Sequence, residues 1–356
     1  MKPLVFEFES VILQSLAAGV RPAGIFYVKE YAAAVAVDLA NLTLEPAQAD
    51  DFFDRHRIPQ NLISQGNPQQ AVEAWEKLLG VLNAADPAKY AAIHKGTPFY
   101  FLAIACYLME DFERALFFLD SAIEEDVRIH GDRWIAVPSG LFIRLDAATE
   151  QQAAQPLVAD ARAQLTDALA YVQTLGGPAV TVDQIHDKFL QPAVIASPDL
   201  RPLVTAFFTF VLEFNTRVGQ LMLSPGRGGT GESVFVHLFK GALLFESLIK
   251  VSALGKAVAP KTLGDAPGDQ RIWSTLQLAK APQGFAHATF GDVMSWAISQ
   301  SNANAPFAEM AVRTTWGIRN TTGHNLAWPS KPLPPEYMVL FGLILGAGLL
   351  AIEQLL

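Results

Sequence analysis

The sequence predicts an all-α protein, and three observations carry that prediction. Alternation of apolar and polar residues, the mark of a half-buried strand, is brief and confined to residues 4–8 and 179–182. Longer stretches instead place apolar residues three and four apart, which lines one face of a helix. Apolar residues make up 51% of the chain and charged residues 17%, enough to fill a large interior. A length of 356 residues exceeds one ordinary helical core and predicts two domains.

Helices are expected in order at 8–16, 28–42, 47–56, 68–82, 98–109, 112–125, 154–175, 182–189, 201–223, 232–254, 288–300, 306–317 and 335–356. Pro68 and Pro98 stand near helix starts, where a missing N–H does no harm. Gly176-Gly177-Pro178 breaks the chain after a long helix, and Pro192, Pro198 and Pro202 mark the expected linker. The domains are therefore set at 1–195 and 200–356.

Within the first domain, Leu102, Ala103 and Cys106 form an apolar stripe, Glu110-Asp111 a turn, and Ala115, Leu119 and Ala122 a second stripe. The small residues among them let two helices approach closely. This hairpin resembles a tetratricopeptide repeat. Ala71, Trp75 and Leu78 repeat the second-helix pattern 44 residues before Ala115, against the 34 of a regular array. The resemblance implies tetratricopeptide-like hairpins and a surface for a protein partner.

A net charge of −9 argues against coating nucleic acid by bulk electrostatics. Locally the balance differs: residues 306–331 hold Glu309 against Arg313, Arg319 and Lys331. Cys106, the single cysteine, excludes an intrachain disulfide and reads as a small core residue. Two glutamates within the first nine residues and no apolar signal core predict no secretion signal, hence a cytoplasmic location. Residues 337–352 are 16 positions without a charge, short of the roughly 20 of a membrane span. They are expected to form a core or interface helix, with a membrane helix as the alternative.

Pro225-Gly226-Arg227-Gly228-Gly229-Thr230-Gly231-Glu232-Ser233 approaches a phosphate loop but has Glu232 where that loop has lysine. It also follows a helix rather than a strand. It reads as a link between helices, with Arg227 a candidate contact to a substrate backbone. Among the seven histidines, no spacing suits a metal, and no cofactor is expected. His237 lies in an apolar run and reads as a core residue.

His324 differs. The segment Arg319-Asn320-Thr321-Thr322-Gly323-His324 is rich in Thr, Asn and Gly, so residues 318–326 are expected to leave helix geometry. A guanidinium is a permanent fork of donors for phosphate oxygens, and an imidazole exchanges a proton near neutral pH. Arg319 and His324 are thus candidate catalytic residues, with Arg313 a candidate backbone-binding residue.

The second domain resembles the HEPN superfamily, helical bundles that often act as metal-independent ribonucleases and carry Arg-x(4–6)-His with a polar residue after the arginine. Arg319, Asn320 and His324 match that motif at its shortest spacing, and long helices stand before and after it. The resemblance covers about 155 residues. It implies a homodimer with both motifs in one cleft and single-stranded RNA as substrate. His324 would accept the 2′-hydroxyl proton, Arg319 would bind the non-bridging oxygens, and Asn320 would orient the phosphate or the imidazole. It also implies a setting in antiviral defence or as a toxin. The competing expectations are a helical scaffold that dimerises without catalysis, a membrane-attached protein, and an inactive relative of the superfamily.

Overall fold

The computed structural model describes residues 28–146, 155–259, 269–282, 284–285, 288–323, 328 and 331–356. Every regular element among them is helical, and no strand occurs. The fold class is all-α. The expected helix at 8–16 lies outside the described residues, as do His287 and His324.

Two compact units are present, Met1–His94 and Lys95–Leu356. In the first, α1 (Val28–Asn41) packs on α4 (Pro68–Ala85), with α2 (Pro46–Asp50), α3 (Ile58–Ser64) and α5 (Pro87–Ala92) as short supports. Pro46, Pro59, Pro68 and Pro87 each fall in the first two helical positions. Trp75 fills the centre of this unit, with the Phe53 ring edge-on at 6.1 Å.

The second unit begins with the hairpin of α6 (Gly96–Leu108) and α7 (Phe112–His130), whose stripe residues Leu102, Ala103, Cys106, Ala115, Leu119 and Ala122 are all buried. The Asp111 carboxylate caps α7 by accepting from the Arg114 N–H at 3.3 Å. After α8 (Pro138–Ile143) come α9 (Gln155–Thr174), α10 (Val182–Phe189), α11 (Pro192–Ala196) and α12 (Arg201–Leu223). The proline-marked stretch expected as a linker therefore holds a short helix and lies inside the second unit. Arg201 fixes it there. Its buried guanidinium donates to Asp120 at 2.6 Å, to Glu124, and to the Ile195 carbonyl at 3.2 Å.

The remaining helices are α13 (Glu232–Val251), α14 (Ala253–Val258), α15 (Gln270–Thr275), α16 (Phe290–Asn302), α17 (Phe307–Thr322) and α18 (Pro334–Leu355). The expected 232–254 helix is thus interrupted at Ser252, whose hydroxyl accepts from the Gly255 N–H at 2.9 Å and starts α14. The uncharged run lies in α18, which packs against α9, α10, α12, α13, α16 and α17. From Leu340 to Ile352 every residue of α18 is buried. By length and composition α18 also passes for a membrane span, but its apolar surface is consumed by neighbouring helices. Its glycines serve that packing: a Cβ at Gly342 would meet Leu175 at 2.6 Å and Tyr171 at 2.9 Å, and one at Gly346 would run into the Phe307 ring.

Candidate functional site

As far as Gly323, the polar segment that carries Arg319 and Asn320 is helical rather than a loop. α17 continues through Thr322, five residues beyond the expected end at 317, and Gly323 caps it. Threonine disfavours helices through its branched side chain and its competing hydroxyl. Here both costs are met. Thr315, Thr321 and Thr322 are buried and donate back to the carbonyls of Ala311, Gly317 and Ile318 at 2.7, 2.9 and 2.5 Å. Arg319 and Asn320 consequently stand on the last helical turn, where a cation also interacts favourably with the helix dipole.

Arg319 is partly exposed, and its Nε donates to Oε2 of Glu246 on α13 at 2.9 Å. Glu246 is buried along its length and accepts a second bond, from Lys250 Nζ at 2.6 Å. Burial pushes its carboxyl pKa up, but the hydrogen bonds and charges of Lys250 and Arg319 outweigh that and hold it below the ordinary value. The carboxylate is therefore ionised near neutrality and clamps one edge of the Arg319 guanidinium. No described residue accepts from the two terminal nitrogens of Arg319. Asn320, the adjacent residue, is half-buried.

Glu246 and Lys250 escaped the sequence reading. Their spacing of four is that of an ordinary surface pair on a helix. The available signal was the setting of Glu246, a single carboxylate within the apolar stretch Gly241-Ala242-Leu243-Leu244-Phe245-Glu246-Ser247-Leu248-Ile249. A lone acid there demands a partner cation.

The other two candidate arginines lie apart from Arg319. Arg313 is six residues earlier on α17, which turns it about 120° away around the axis. Its guanidinium sits 4.8 Å from the Phe285 ring centre and 4.4 Å from that of Trp296. Arg227 donates both terminal nitrogens to Glu336, at 2.9 and 2.6 Å. That carboxylate also accepts from the Leu333 N–H at 2.8 Å and so caps α18. Arg227 is thus engaged as a brace between the 224–231 link and α18. The link itself is tied down by Lys331, whose N–H donates to the Arg227 carbonyl at 3.1 Å and whose Nζ donates to Ser224 Oγ at 2.8 Å. Glu232 falls in the first turn of α13.

His237 is fully buried between α12 and α18. Its Nε2 donates to the Phe210 carbonyl at 2.8 Å, so its Nδ1 accepts from the Tyr337 hydroxyl at 2.9 Å. Burial pushes its pKa down to about 3, and the ring is neutral. Phe210 stacks on it at 4.7 Å. A neutral, sealed and fully hydrogen-bonded imidazole organises the core.

No protein-family model, curated protein or solved structure matches the chain.

Proposed function

We propose that the second unit is a metal-independent endoribonuclease acting on single-stranded RNA, with Arg319, Asn320 and His324 as its catalytic residues. The observation that carries this reading is the clamped arginine. Glu246 holds one edge of the Arg319 guanidinium while the terminal nitrogens keep no protein acceptor among the described residues. A pre-oriented fork with free donors is what stabilising the charge on a phosphate requires. Asn320 follows it directly, and His324 comes one residue after the helix cap, in the sequence order of the HEPN-type motif.

The chemistry follows from these groups. His324 accepts the proton of the RNA 2′-hydroxyl as that oxygen attacks the adjacent phosphorus and the bond to the 5′-oxygen breaks, the departing oxygen taking a proton from water. Arg319 neutralises the non-bridging oxygens, and Asn320 orients the phosphate or the imidazole. The nucleophile belongs to the substrate, so the products carry a 2′,3′-cyclic phosphate and a 5′-hydroxyl. Two copies of the unit pair their motifs in one cleft, and the tetratricopeptide-like hairpin of α6 and α7 offers a surface for a protein partner. Antiviral defence or toxin action in the cytoplasm is the biological setting proposed with it.

One observation favours a second reading. The Arg319–Glu246–Lys250 cluster is also what a helix-to-helix brace needs, and a non-catalytic scaffold that dimerises through this unit would keep it for stability alone. The two readings separate on substrate chemistry. Purified protein is incubated with an RNA oligonucleotide and with the same oligonucleotide carrying a single 2′-deoxy position at each cleaved linkage. Ribonuclease action predicts cyclic-phosphate ends from the first and no scission at the substituted linkages of the second. Scission at deoxy linkages would overturn the mechanism, and intact RNA throughout would favour the scaffold.

A further inference from the structure

Arg313 is the one candidate arginine for which no described residue provides a carboxylate. Arg319 has Glu246 and Arg227 has Glu336, whereas Arg313 lies over two aromatic rings and has no ion pair among the described residues. Its Nε is buried and has no hydrogen-bond acceptor among the described residues. One turn further along α17, the buried indole Nε1 of Trp316 likewise lacks an acceptor among the described residues. The chain at 284–285 lies over this part of the helix: a Cβ on Gly284 would come within 3.1 Å of the Trp316 ring, and Phe285 meets Trp296 edge-on at 5.3 Å. Phe285, Trp296, Arg313 and Trp316 are each half-buried, so the cluster reaches the surface.

Guanidinium over aromatic rings is a favourable arrangement, and it removes the conformational freedom an arginine otherwise loses on binding. It does not satisfy N–H groups. A half-buried cation with orphaned donors beside it lacks an anion, and a carboxylate from the protein is not what the described fold supplies. Resting on the ribonuclease reading above, we infer that Arg313, with the Trp316 indole beside it, is a docking point for a backbone phosphate of the single strand. Six residues separate Arg313 from Arg319, about 9 Å along the helix axis and about 120° around it, so the phosphate bound lies further along the strand than the reacting one. The exposed parts of Trp296 and Phe285 offer the adjoining base an aromatic surface, the combination of cation and ring that single-strand binding uses.

The test uses the full chain and a fluorescent single-stranded RNA whose 2′-positions are O-methylated, so that binding is read without cleavage. Anisotropy titrations at several salt concentrations give affinity and salt slope for wild type, R313Q and R313K. Arg313→Gln is expected to weaken binding about tenfold and to reduce the logarithmic salt slope by about 0.7, the loss of one phosphate contact on a single strand. Arg313→Lys is expected to keep the slope and recover only part of the affinity, because an ammonium lacks the planar stack. If R313Q does not fold, R313K decides: unchanged affinity overturns the docking point. R313Q binding with wild-type affinity and slope also overturns it, and leaves the ribonuclease reading to be judged on Arg319 and His324. A wild type that neither binds this RNA nor cleaves ordinary RNA overturns both.

Discussion

Replacing Arg319 by alanine, Glu246 by glutamine, and both together isolates the ion pair on which the candidate site is built. The side chain of Glu246 is 6% exposed and that of Arg319 26%, so the pair is neither fully screened nor fully dry. At an effective dielectric of about 20 and a charge separation near 4 Å, the gross attraction is about 4 kcal/mol. Desolvation of the carboxylate and ordering of the arginine offset most of it, leaving a coupling of about 1–2 kcal/mol. The single changes should be unequal. Without Arg319 the carboxylate keeps Lys250 at 2.6 Å, whereas Glu246→Gln leaves two cations facing a neutral amide. Glu246→Gln is therefore expected to destabilise more than Arg319→Ala. Urea denaturation of all four proteins at neutral pH reads these values. Single effects that add to the double within about 0.3 kcal/mol would refute the ion pair as a structural coupling.

Tyr337→Phe removes the donor to His237 Nδ1 and leaves that nitrogen buried and unpaired; a loss of about 1–3 kcal/mol is expected in the same denaturation assay. His237 also sets an acid limit. Its folded pKa of about 3 lies below the unfolded value near 6.5, so the unfolded state binds the proton first as pH falls. Stability should therefore be fully present above about pH 6.5 and fall between there and pH 3, by at most about 1.4 kcal/mol per pH unit from this group. A His237→Gln variant should show a flatter acid limb in pH-dependent melting. Gly241→Ala on α13 should cost about 1–3 kcal/mol by calorimetry, because the added methyl would overlap the buried Phe210 ring and lie 2.8 Å from Ile344 Cγ2.

Periodicity made the helical class and most of the helices legible. The ranges 182–189 and 201–223 coincide with Val182–Phe189 and Arg201–Leu223. The uncharged run at 337–352 suits either a core or a membrane helix by sequence, and fourteen of its residues are buried among neighbouring helices. Short helices such as Ile58–Ser64 and Pro138–Ile143 were missed because one or two turns show no period. The Thr-rich end of α17 was misread for a different reason. Propensity is local, while the burial that reconciles Thr321 and Thr322 with a helix comes from tertiary packing. The same limit hid Glu246, which lies 73 residues from Arg319 in sequence and meets it only through the packing of α13 against α17. His237 was legible as a core residue, but its hydrogen bond to Tyr337, 100 residues away, was not.

The ribonuclease reading is tested most directly by comparing wild type, Arg319→Ala and His324→Ala on end-labelled single-stranded RNA in EDTA. Cleavage by the wild type alone, leaving cyclic-phosphate ends, is the expected result. Equal cleavage by all three proteins, or intact RNA with all three while each remains folded, would contradict it.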